Sequence, residues 1–267
     1  PSGGAEQPRA RPGGVRALLR RRDVQAFILA SFLMQASHGP YYTFYSIHLE
    51  DLGFRKFTVG ALWALGVAAE VGIFLIMHRL MRRFALARVL FVSLLLAVLR
   101  WLIIALCGAD LWWLVPAQLL HAASYGSFHA ASIAWVQDTF GEAHAGQGQA
   151  LYSSLGYGAG WALGAGLSGL YWARWGADSF LVAAATAAVA ALRELGVRRV
   201  AVAAPYRDEV CQKLRRFLED SGFEIVNLRN LGLSGMDIGA VPSEQVYELG
   251  EQADTPEAQA LFISCTS

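Results

Sequence analysis

Apolar positions dominate the chain as far as about residue 193, and beyond it the pattern changes period. Five segments, about 24–48, 58–78, 88–107, 111–136 and 148–172, are each apolar enough and long enough to cross a bilayer. A crossing takes about 20 such residues, because a rise of about 1.5 Å per residue must cover roughly 30 Å of hydrocarbon. A sixth segment, about 177–192, is shorter. From Ala187 onward helical and strand patterns alternate. A helix ends at Leu195-Gly196, followed by strand VRRVAVAAP, helix YRDEVCQKLRRFLEDSG, strand FEIVNLR, a loop through Pro242, helix SEQVYELGEQA and strand ALFIS. Gly196 and Gly222 stand where helices should end, and Ser243 where one should be capped. This alternation predicts a parallel sheet. The fold class expected is an all-α transmembrane bundle of about six spans followed by a partial α/β parallel-sheet domain. A flexible lead-in is expected over 1–19, the bundle over 20–185 and the α/β part over 186–267.

Composition and charge sharpen that division. At 55% hydrophobic and 16% charged, the 267 residues are too apolar for an ordinary soluble domain. Residues 1–193 carry 15 Lys+Arg against 9 Asp+Glu, a net +6, whereas residues 194–267 carry 7 against 12, a net −5. Arg16, Arg20, Arg21 and Arg22 precede the first span, and Arg79, Arg82, Arg83 and Arg88 separate the second from the third. The loops around Asp110 and 174–178 carry little positive charge. By the positive-inside bias the N-terminus lies in the cytoplasm, and six crossings return the tail there, as in a multi-pass protein of the inner (plasma) membrane. The lipid bilayer is then an obligatory partner. The acidic tail argues against nucleic-acid binding, with Lys213, Arg215 and Arg216 read as a solvated helix face. Cys107, Cys211 and Cys265 are too few and scattered for a disulfide framework, and no metal-binding spacing is present, so no metal is expected. Starting at Pro1 without a signal peptide and stopping at Ser267, the chain is expected to be cut at both ends.

Ionisable residues inside spans are the candidate chemistry, since placing them in lipid costs a few kcal/mol or more. Glu70 falls near the middle of the second span and Arg100 near the middle of the third. They should face a bundle interior or wet cavity, either as an ion pair with each other or in solute binding and proton coupling. His38, beside the helix-perturbing Gly39-Pro40, suits a proton carrier. His121 and His129 suit helix-to-helix hydrogen bonds. Tyr41, Tyr42, Tyr45 and Trp63 can line an aromatic-accepting cavity or mark a membrane interface. In GQGQALYSSLGYGAGWALGAGLSGLYW, Gly156, Gly160 and Gly164 recur every four residues, which serves close helix packing or a bend during gating.

Two resemblances follow. FLMQASHGPYYTFYSIHLEDLGF, VGALWALGVAAEVGIF, LRWLIIAL, QLLHAASYGSFHAA and QALYSSLGYGAGWALG, over about 20–183, resemble the C-terminal six-helix half of a major facilitator superfamily transporter. The phenylpropionate permease-like group is the branch concerned, with the nucleoside–proton symporters next. This implies proton-coupled uptake of a small aromatic acid or similar solute, with His38, Glu70, Arg100 and His121 matching polar positions of the family. It also implies a second six-helix half or a dimer mate to complete the cavity. The loop HRLMRRFALARVL keeps the family's basic character but lacks its glycine and acidic residues.

RELGVRRVAVAAPYRDEV, FLEDSGFEIVNLRNLGL and DTPEAQALFISCTS, over about 186–267, resemble the Asp/Glu racemase superfamily, especially maleate cis–trans isomerases and arylmalonate decarboxylases. The resemblance implies a cofactor-independent enzyme in which Cys265 is the catalytic cysteine and Tyr206 a substrate contact. The loop LGLSGMDIG lacks the asparagine expected near Met236–Asp237. A thiol at a strand end facing a helix N-terminus would be held as thiolate. Here Cys265 is expected at a frayed end, and Cys211 as a small packing residue. Residues 177–195 fit both resemblances, although one helix is not expected both to cross lipid and to pack on a soluble sheet. The chain therefore reads as a chimera or fragment.

Overall fold

The computed structural model of the chain describes residues 15–233 and 241–263. Cys265, the lead-in as far as residue 14, and residues 234–240, which include most of the LGLSGMDIG loop, lie outside the described residues. Helix α1 (Val15–Leu19) shortens the expected flexible lead-in, because Val15, Leu18 and Leu19 pack against the main core and are ordered by it.

The first expected span is two helices, α2 (Arg22–Ser37) and α3 (Gly39–Asp51), meeting at His38. Pro40 lies in the first turn of α3, where its missing N–H is tolerated. The helical part continues through α4 (Lys56–Arg83), α5 (Leu86–Cys107), α6 (Leu111–His121), α7 (Ser127–Leu151), α8 (Gly160–Trp175) and α9 (Ser179–Glu194). Two π-helical turns, Ala122–Gly126 and Tyr152–Ala159, link α6 to α7 and α7 to α8. Where a loop over 137–147 would separate the fourth and fifth spans, the chain stays helical and reverses at Gly141. There φ is 66° and ψ 171°, a left-handed conformation that suits glycine. Three stretches, Lys56–Arg83, Leu86–Cys107 and Leu111–Glu194, are long and apolar enough to cross a membrane. The last is divided at Gly141 and at the 3-10 turn Gly176–Asp178. With α2–α3, the described residues form six helical rods.

The glycine repeat is a packing device. A Cβ at Gly156 would come within 2.9 Å of the Ser31 Cβ, and at Gly160 and Gly164 it would strike the backbone of Phe32 and Ala36. Thus α8 presses directly on α2, as small residues allow between membrane helices.

The tail holds β1 (Arg199–Tyr206), α10 (Asp208–Asp220), β2 (Glu224–Leu233), α11 (Ser243–Ala253) and β3 (Ala260–Ile263). β1 is central and parallel to both neighbours, in the order β2-β1-β3. It is buried from Val200 to Tyr206, which explains its unbroken apolar run. Gly196 and Gly222 end α9 and α10 with positive φ, as expected. α11 begins at Ser243 itself, so Pro242 takes the capping position expected of Ser243.

Helix α9 packs against both parts. Ala183, Ala187, Ala190 and Ala191 pack into the bundle core, where α9 meets α2 and α5. Val189 and Leu192 belong instead to the cluster around Val200 and Val202. Alanine lets α2 and α5 approach closely, leaving two larger side chains for the sheet.

Candidate solute site in the helical bundle

Arg100, on α5, is fully buried. Its guanidinium carbon lies 4.0 Å from the centre of the Tyr41 ring and 4.4 Å from that of Trp101, in cation–π contact with both. Nε donates to the Ala117 carbonyl at 3.1 Å, while Nη1 and Nη2 have no hydrogen-bond partner among the described residues. Glu70 does not pair with it. The Glu70 carboxylate lies 3.2 Å from His121 Nε2 instead. The reason is architectural: α6 packs against both α4 and α5, so His121 meets the carboxylate and the Ala117 carbonyl meets the guanidinium.

The other polar groups are held by short-range bonds. Tyr41 Oη donates to Gln118 Oε1 at 2.9 Å. His38 Nδ1 faces the Met34 carbonyl at 2.8 Å, which can only accept, so Nδ1 carries the proton. The His38 ring stands edge-on to Trp101 with centroids 4.7 Å apart, and Trp101 Nε1 donates to Ser37 Oγ at 3.3 Å. Trp63 packs 4.6 Å from Tyr41 and donates through Nε1 to Ser46 Oγ at 3.0 Å. Tyr45 and Tyr42 complete the aromatic wall beside Tyr41, with Tyr42 37% exposed. Both π turns contribute: Tyr125 stacks on His121 and shares a hydrogen bond with Tyr157, while Tyr152 Oη meets His129 Nδ1 at 2.9 Å.

The structure therefore brings His38, Glu70, Arg100 and His121 together, with the four aromatic residues read from the sequence. Gln118, Trp101, Tyr125 and Tyr157 went unread. Gln118 had a signal, a lone amide within the apolar run LWWLVPAQLL. The two tyrosines had none, because no sequence pattern marks a π turn.

In the tail, Tyr206 is buried at the end of β1, and its carbonyl accepts from Cys211 Sγ at 3.4 Å. Burial pushes the Cys211 thiol up from its ordinary value, leaving it a small apolar packing residue. Cys265 lies outside the described residues.

The model of the MFS_1 like family matches residues 4–182. The chain belongs to that family. A second model, Arylmalonate decarboxylase, matches residues 177–267, and the two matches overlap at the start of α9. Both resemblances read from the sequence hold. Over 132 residues the chain is 34% identical to the "Probable 3-phenylpropionic acid transporter" of Escherichia coli (strain K12), covering 49% of this chain and 34% of the relative. Over 91 residues it is 35% identical to the "Maleate isomerase" of Nocardia farcinica (strain IFM 10152), covering 34% of this chain and 36% of the relative. Over 83 residues it is 35% identical to the "Arylmalonate decarboxylase" of Bordetella bronchiseptica, covering 30% and 35%. The chain thus spans about a third of the length of each curated relative. No solved structure matches it.

Proposed function

We propose that the helical part belongs to a proton-coupled carrier that takes up a small aromatic acid or similar solute. The observation that carries this reading is Arg100, whose Nη1 and Nη2 are buried and unpartnered between two aromatic faces. A guanidinium presents its donors in a planar fork that matches a carboxylate. The tyrosine and tryptophan rings around it suit an aromatic body. Glu70, paired to His121, is the proton site, and His38 is the alternative carrier. A second six-helix half or a second copy of the chain supplies the opposite wall. The N-terminus and the tail lie on the cytoplasmic side of an inner membrane, with the boundary between parts inside α9 near residues 185–186. Uptake of radiolabelled 3-phenylpropanoate into vesicles tests the mechanism. Arg100→Ala should abolish uptake and Glu70→Gln should uncouple it from a proton gradient. Unchanged flux in both variants defeats the reading.

The second family match favours a second reading for the tail, as part of a cofactor-independent isomerase, racemase or decarboxylase domain. Cys265 is then the reacting thiol and Tyr206 a substrate contact. Thiol titration separates the cases: a catalytic Cys265 is alkylated well below the unperturbed pKa of about 8.5, with buried Cys211 silent. Alkylation only at higher pH rejects the enzymatic role.

A further inference from the structure

We infer that the Arg100 site selects an aryl-substituted carboxylate that also carries a ring hydroxyl, and that His38 and His121 read that hydroxyl. The inference rests on the carboxylate reading of Arg100 and adds a second recognition element to it.

Two imidazoles are fixed as hydrogen-bond acceptors. His38 spends its Nδ1 proton on the Met34 carbonyl, so Nε2 presents a bare lone pair. While Glu70 is deprotonated and the ring neutral, His121 directs its Nε2 proton at that carboxylate, which leaves Nδ1 as the bare nitrogen. Both bare nitrogens are buried and have no hydrogen-bond partner among the described residues. The two rings stand 5.9 Å apart, and the charge of Arg100 reaches both. One site therefore offers donors, from Arg100 Nη1, Nη2 and Gln118 Nε2, beside two acceptors.

An aryl-substituted carboxylate without a hydroxyl answers only the donors. It would seal His38 Nε2 and His121 Nδ1 away from any donor, and such orphaned acceptors cost free energy. A hydroxyl on the aromatic ring supplies one proton, which one of the two nitrogens accepts. Sites built to bond a substrate hydroxyl discriminate strongly against the analogue that lacks it, because their own polar groups are left unmatched. Tyr42 and Tyr125 flank His38, with ring centres 6.2 and 4.9 Å from its own. Tyr42 is the more exposed of the two.

Equilibrium dialysis of the full chain in nanodiscs tests this with 3-phenylpropanoate and its ortho-, meta- and para-hydroxylated analogues. At least one hydroxylated isomer should bind about tenfold or more tightly than the plain acid, a difference of about 1.4 kcal/mol. In the double variant His38→Leu/His121→Phe that ratio should fall to about one. Equal binding of the plain acid and all three isomers by the unaltered chain overturns the inference, whatever the variants do. A preference that survives both substitutions overturns it too. Failure of every acid to bind sinks the carboxylate reading of Arg100 itself.

Discussion

Arg100 is the residue on which burial and charge conflict most openly. A guanidinium without an acidic partner among the described residues, enclosed by Tyr41 and Trp101, costs several kcal/mol that cation–π contact offsets only in part. Arg100→Met should therefore raise the melting temperature of the purified protein, with a stabilisation of about 1–4 kcal/mol, while solute binding is lost. A lowered melting temperature would make Arg100 a structural residue. Glu70 is legible in the sequence as a mid-span acid, but its partner is not. Spacing along two helices cannot show that α6 meets both of them. With Glu70→Gln, solute exchange without a gradient should persist while gradient-driven accumulation disappears, as counterflow and uptake assays in vesicles would report.

At the scale of elements, the apolar runs locate the helices closely, and the exceptions are local. Pro40 advertises the break between α2 and α3. The π turns do not advertise themselves, because an extra residue per turn leaves composition unchanged, yet they carry Tyr125, Tyr152 and Tyr157. The contact of α8 with α2 yields a sharp comparison. Gly164→Leu drives a side chain into the Ala36 backbone and should destabilise the bundle by at least about 2 kcal/mol. Gly166→Leu, two residues away, meets open space and should change stability by no more than about 0.5 kcal/mol. Thermal unfolding in detergent distinguishes the two. Equal effects would deny the close approach.

On the scale of the whole molecule, α9 is asked to satisfy two solvents. α10 lies along it: Lys213 stands over Trp175 near the start of α9, and Arg193 near its end bonds the Ser221 carbonyl. A cavity of about 390 Å³ separates them, walled by Val98, Leu102, Leu181, Leu214 and Phe217. If α9 crosses a bilayer, this docking holds Lys213, Arg216 and Asp220 at hydrocarbon depth, at about 2.5–3.5 kcal/mol for each charge. Docking of the tail and a lipid-facing α9 therefore exclude one another. In proteoliposomes, Leu214→Cys should react with a membrane-impermeant maleimide as fast as an exposed control, while Cys211, inside the tail's own core, stays unreactive. Protection of the introduced cysteine in lipid would show that the docked arrangement persists there.

The order of residues by itself determined which parts dissolve in hydrocarbon and which in water, where the helices and strands run, and that Glu70, Arg100, His38 and His121 are costly where they stand. These are properties of composition and period, which act over one or two turns of chain. Only the tertiary structure decided that Glu70 meets His121 while Arg100 Nη1 and Nη2 find no partner among the described residues, and that α9 is shared between bundle and sheet. Those outcomes depend on which helix lies between which others, and packing of distant segments settles that.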